Sequence, residues 1–101
     1  MKISVTSPED IGLLIRAVRR SSRVRIDDLA AMSHVSKQFA SDVEHGKPTV
    51  RLGLVFKLLG ELGIPMTLDI PSEAVQELTT LRLRAKAPAG KRPKKRIPSE
   101  G

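Results

Sequence analysis

Apolar positions recur along this chain with a helical period, interrupted by short polar turns. Ile11, Leu14, Ile15 and Val18 follow at i, i+3, i+4 and i+7, which places them on one face of a helix. Ser7-Pro8-Glu9-Asp10 in front of them predicts the start of that helix: a cap, a proline at the first helical position, and two acids at the positive end of the dipole. A second helix is predicted from Ile26 to Met32, with Leu29 and Ala30 facing in, and Ser33-His34-Val35 makes the turn that follows. A third begins at the cap Ser36, turns Ala40 and Val43 inward, and stops at Gly46, where a left-handed residue is usual. Thr49 is expected to cap a fourth helix, Val50 to Leu62. Its stripe is Leu52, Val55, Phe56, Leu59 and Leu62, with Leu54 and Leu58 on another face. Gly53 and Gly60 share a third face; each costs about 1 kcal/mol against Ala, so a close neighbour is expected there.

Two stretches alternate instead. Met1, Ile3 and Val5 are separated by polar residues, as are Met66, Leu68 and Ile70, and both stretches read as short strands. A strand must pair, so the expected partners are each other or the same strand in a second subunit. Pro71-Ser72-Glu73 opens a last helix with Ala74, Leu78, Leu81 and Ala85 on one stripe. From Pro88 onward, Pro, Gly, Lys, Arg and Ser dominate, a composition that cannot bury a core and reads as disordered.

Composition narrows the chemistry. The 101 residues include no Trp, no Tyr and two Phe, so the core must be aliphatic. No Cys is present, which excludes disulfides and thiolate metal sites and fits a cytoplasmic protein. No apolar run has the length of a membrane span, and none near the N-terminus resembles a signal peptide. The formal charge of +7 is unevenly placed: residues 82–101 carry eight bases and one acid, while residues 1–81 carry ten of each. The expected organisation is a domain over 1–81 and a basic tail over 82–101. The high pI describes the tail, so nucleic-acid binding by the body must rest on where its charges sit.

Catalysis has no support. The two histidines, His34 and His45, lie on a turn and a helix end, with no cluster that could hold zinc. No serine sits in a strand–turn–helix elbow. Gly46-Lys47-Pro48 lacks the glycine spacing of a phosphate loop and puts proline where an amide is needed. Neither an enzyme nor a cofactor is expected.

Ile26 to Thr49 is the most informative stretch: two short helices split by a tight turn, the second starting with exposed polar reach, the geometry that enters a DNA major groove. Ile11 to Ile70 resembles the Xre/Cro-type helix-turn-helix family, and the order of its elements is similar to the HipB-like antitoxins. The resemblance is carried by IGLLIRAVRR, DDLA, VSKQFASDVEHGKPTVRL, a helix ending in ELGI, and MTLDI; its most specific piece is V-S-x-x-x-x-S-x-x-E-x-G-K-P-T. It implies an all-α, lambda-repressor-like bundle of about five helices with one or two short flanking strands.

The resemblance also implies roles. Arg19 and Glu44 match a pair that locks the first helix to the reading helix. Base-reading positions carry over as Ser36, Lys37, Gln38 and Ser41, with Asp42 on the same exposed side; Lys suits guanine, Gln suits adenine, and Asp42 either accepts from cytosine or excludes wrong sites. Phosphate contacts are expected from Arg25, His45, Lys47 and Arg51. Leu54, Leu58, Met66, Leu68 and Ile70 are expected at a homodimer interface. Three positions depart from the family pattern: Ile26 replaces a phosphate-binding Gln, and Arg23 and His34 replace turn glycines. The partners implied are double-stranded DNA with a palindromic operator, a second copy of the chain, and a HipA-like kinase toxin. A stand-alone Xre regulator and a protein-interaction module on the same scaffold are the competing readings.

Overall fold

The computed structural model describes residues 1–86, with five helices: α1 (Pro8–Ser21), α2 (Ile26–Met32), α3 (Lys37–Glu44), α4 (Leu52–Glu61) and α5 (Val75–Ala85), the last preceded by a 3-10 turn, Ser72–Ala74. Two compact units divide the chain, Met1–Met66 and a second from Thr67 onward.

In the first unit, α3 packs against α1 and α2, and α2 against α4. The core is aliphatic: Ile15, Leu29, Ala30, Ala40, Val43, Val55, Leu58 and Leu59. Ile15, Leu29 and Leu58 are fully buried, each contributing about 1.5–3 kcal/mol of burial. Phe39 packs partly against this core, while Phe56 is 48% exposed. Ile26, the departure at the start of α2, also packs against the core, so an apolar anchor stands where the family has a phosphate contact.

The helix starts follow from local chemistry. Ser7 caps α1 by accepting from the Asp10 amide at 3.2 Å, and Pro8 opens the helix. Asp10 in turn accepts from the amide and hydroxyl of Thr6, at 3.0 and 3.2 Å. These bonds hold its carboxyl below the usual carboxylate value. Ser36 caps α3 by accepting from the Phe39 amide at 2.9 Å.

The first four helices all end in one motif, in which two successive amides turn back onto the last carbonyls. The bonds are Arg23 to Arg20 and Val24 to Arg19 after α1, and His34 to Ala31 and Val35 to Ala30 after α2. After α3 they are Gly46 to Val43 and Lys47 to Asp42; after α4, Gly63 to Gly60 and Ile64 to Leu59. The motif needs a left-handed residue, and all four positions have one: Arg23 and His34 at φ 58°, Gly46 at 79° and Gly63 at 70°. The two missing glycines therefore do not change the turns. They leave side chains in a backbone region that costs a non-glycine residue about 1–2 kcal/mol.

Several expectations are corrected. Among the described residues there is no strand: Met1–Thr6 and Met66–Ile70 are irregular. Alternation alone does not make a strand, and neither stretch has a backbone ladder to join among the described residues. α4 begins at Leu52 with Arg51 at its cap position and no side-chain cap, so Thr49 does not cap it. The inward face of α4 is Val55, Leu58 and Leu59, rotated from the expected stripe, and leaves Leu52 60% exposed. Leu58 is thus a core residue, at 0% exposure, and no part of an outer surface. Gly53 and Gly60 face open space, with nothing within 4 Å of where a Cβ would stand. The close approach lies at Gly12: a Cβ there would stand 2.6 Å from the Glu44 carbonyl oxygen and nearer still to that of Val43.

In the second unit, α5 has no buried residue. It runs through Arg82 and Arg84 to Ala85, so the first residues of the expected tail are helical, with two bases at the negative end of the dipole. Residues 87–101 of the basic tail lie outside the described residues.

Candidate nucleic-acid interface

Helix α3 has two faces with different work. Ala40, Val43 and Glu44 are buried; Lys37 and Gln38 are exposed, and Ser41 and Asp42 are half-buried beside them. Ser36 is exposed at the cap. Its oxygen is engaged with the Phe39 amide, which leaves the hydroxyl proton to donate outward. The five residues expected to read bases thus lie together on the first two turns of α3 and its cap.

Glu44 is a buried carboxylate, with 3% of its side chain exposed, and two arginines of α1 meet it. Arg19 Nε donates to Oε2 at 2.6 Å and its Nη2 to Oε1 at 2.9 Å, a two-pronged contact. Arg19 Nη1 also donates to the Val24 carbonyl at 3.0 Å, tying in the turn after α1. Arg16 adds a bond to the Glu44 carbonyl at 3.1 Å, and its Nε lies 3.7 Å from Oε1. The hydrogen bonds to Glu44, more than its charge, hold the Arg19 guanidinium above its ordinary value. Together with the Gly12 contact, this fixes α3 on α1 with its outer face clear.

The expected phosphate contacts are all exposed. Arg25 precedes α2, His45 closes α3, Lys47 follows the Gly46 turn, and Arg51 precedes α4. His45 donates from Nδ1 to the Ser41 carbonyl at 2.7 Å, which points the other ring nitrogen away from α3's backbone.

Two acids organise the remaining donors. Asp27, in the first turn of α2, accepts from Arg25 at 3.2 Å and lies 3.7 Å from the Lys37 ammonium. Its own backbone amide, then the Lys37 and Arg25 charges, hold its carboxyl below the usual value. Asp42 accepts from Gln38 at 2.8 Å and lies 3.6 Å from the Lys47 ammonium. Asp27 escaped the sequence reading. An acid in a first turn is adequately explained by the helix dipole, and only the fold brings it beside Lys37.

The residues expected at a dimer interface are scattered in environment. Leu58 is in the core; Leu54 is half-buried; Met66, Leu68 and Ile70 are 42%, 82% and 44% exposed. Among the described residues, no group of three His, Cys, Asp or Glu side chains is placed to hold a metal ion, and no helix is long and apolar enough to cross a membrane.

No protein-family model matches the chain. Its fold is similar to the protein in a structure of a HipA-HipB-O2-O3 complex, with a TM-score of 0.64 and 22% identity over 70% of this chain and 100% of that one. A HipB-O4 20mer complex gives the same figures. In sequence, the chain is 39% identical over 69 residues to an uncharacterized HTH-type transcriptional regulator of Sinorhizobium fredii, covering 68% of this chain and 91% of that protein. With the braced α2–turn–α3 unit in place, this chain belongs to the helix-turn-helix transcriptional regulators.

Proposed function

We propose that the chain is a sequence-specific DNA-binding repressor, acting as a homodimer on a palindromic operator. It would also be the HipB-like antitoxin of a HipA-like kinase and repress its own operon. The observation that carries the reading is α3: its buried face is locked by Arg19 and Glu44, and its outer face presents Lys37 and Gln38 to solvent. A helix so held can enter a major groove without reorganising. The similar structures are a HipA-HipB-O2-O3 complex and a HipB-O4 20mer complex, which supports the two partners. Exposed Met66, Leu68 and Ile70, with half-buried Leu54, offer apolar surface to a second copy. Two such copies would set their reading helices about 34 Å apart.

A gel shift of the full-length chain on the duplex upstream of its own reading frame tests the DNA-binding claim. A shift that competitor DNA fails to displace supports it, and no shift in low salt would sink it. Co-purification with a HipA-like kinase encoded in the neighbouring frame tests the antitoxin role; without such a frame, the stand-alone regulator stands. One observation favours the interaction-module reading: Arg25 to Lys47 carries three bases against four acids. Under that reading Lys37→Ala and Gln38→Ala leave base preference untouched; under ours, each relaxes it at particular positions.

A further inference from the structure

Four of the donors expected to face DNA are held by acids in the free protein. Arg25 and Lys37 share Asp27, and Gln38 and Lys47 share Asp42. The ion pairs are open to water: side-chain exposure is 76% for Arg25, 65% for Lys37 and 53% for Lys47, against 46% for Asp27 and 28% for Asp42. Contacts of this kind add little to stability, so the fold gives no reason for them. Their effect is on charge. Sequence-independent binding is supplied by cations meeting phosphates. Here an approaching backbone meets one neutralised pair, Lys47 with Asp42, and one cluster in which Asp27 cancels one of two positive charges, and drawing a cation away leaves a carboxylate facing phosphate. A base edge can offset that loss, because the amino groups of cytosine and adenine donate to a released carboxylate.

We propose that Asp27 and Asp42 are specificity-determining residues. They hold Arg25, Lys37, Gln38 and Lys47 in the free protein, suppress binding to arbitrary DNA, and release these donors at a site whose bases supply replacement partners. The inference rests on the DNA-binding reading and adds Asp27, a residue with no assigned role in it. It also gives Ile26 a context. With the family's phosphate-binding side chain replaced by a core residue, the start of α2 touches the reading helix through Asp27 and Lys37.

The test uses full-length wild type, Asp27→Asn and Asp42→Asn, with anisotropy titrations on the upstream duplex and a scrambled duplex of equal length between 50 and 200 mM salt. Each Asn variant is expected to bind the scrambled duplex about threefold to tenfold more tightly at the low end, with a log–log salt slope steeper by about 0.9 per cation freed. Affinity for the upstream duplex rises less, so the ratio of the two falls. Asp27→Glu keeps the carboxylate and should rescue most of the discrimination that Asp27→Asn loses. Melting curves establish that the variants are folded, as positions outside the core allow. Wild-type binding with unchanged scrambled affinity and slope in both Asn variants overturns this inference alone. So does loss of affinity for both duplexes, which would make the acids supports of the interface. No binding by any of the proteins at 50 mM overturns the DNA-binding reading and this inference together.

Discussion

Replacing Arg19 by Met keeps the apolar stem of the side chain and removes the guanidinium and its charge. The Glu44 carboxylate, 3% exposed, then loses both prongs of its main contact, at 2.6 and 2.9 Å. Breaking a buried pair from one side costs about 3–5 kcal/mol, because the remaining charge is left uncompensated. Arg16 offsets part of this, but its 3.7 Å approach and 28% exposure make it a weak substitute. The lost bond to the Val24 carbonyl adds about 1 kcal/mol. A unit of this size has roughly 3–10 kcal/mol in total, at about 0.05–0.15 kcal/mol per residue. Arg19→Met is therefore expected to remove a large fraction of the stability, read as a fall in the urea midpoint by far-UV circular dichroism. The double variant Arg19→Met with Glu44→Leu should recover most of the loss, since an apolar pair in place of a buried ion pair is often neutral or better. A single-variant cost under about 1 kcal/mol, or a double variant no more stable than Arg19→Met, would refute the assignment of this pair as the lock between α1 and α3.

Arg23→Gly and His34→Gly relieve left-handed side chains at φ 58°. Each should raise the melting temperature by about 2–8 °C, corresponding to about 0.5–1 kcal/mol; an unchanged or lower value would mean the turns are shaped by those side chains. Gly12→Ala should cost about 1–3 kcal/mol by pushing α1 off the α3 carbonyls, whereas Gly60→Ala should gain about 0.5–1 kcal/mol in the monomer. Equal effects at the two sites in chemical denaturation would contradict the packing. Asp10 has a lowered carboxyl value, so its contribution is present above the ordinary 3.8 and lost as pH falls through the lower folded value. The Thr6 amide resonance should follow that titration, and a midpoint at or above 3.8 would show that the bond at the start of α1 is absent.

Much of the fold was legible because the punctuation is local. Ser7, Ser36 and Gly46 each act through their own neighbours, and a helix boundary follows wherever they stand. The facing of α4 was not legible for the opposite reason. Leu52, Leu54, Val55, Phe56, Leu58, Leu59 and Leu62 go almost all the way round, so periodicity selects no single inward face. Packing into the shared core decides it, and it buries Leu58. The strands at Met1–Thr6 and Met66–Ile70 failed because a period of two is necessary for a strand and a ladder is what completes it. At the interface, sequence and resemblance named the donors. The acceptors that hold them required the fold, since Asp27 and Lys37 are separated by a whole helix and a turn.

The two-faced construction of α3 bears on how such a regulator acquires a new target. Ala40, Val43 and Glu44 are committed to the bundle, and the backbone beneath them is met by Gly12 with no room for a methyl group. Substitution there is filtered by folding before any question of DNA arises. Lys37 and Gln38 carry no share of the core, so mutations at them are nearly neutral for stability and visible chiefly to the ligand. Drift can therefore explore alternative binding preferences one residue at a time along a path of folded intermediates. Duplicated copies of this chain are expected to diverge first at those two positions, while Gly12, Arg19 and Glu44 stay put.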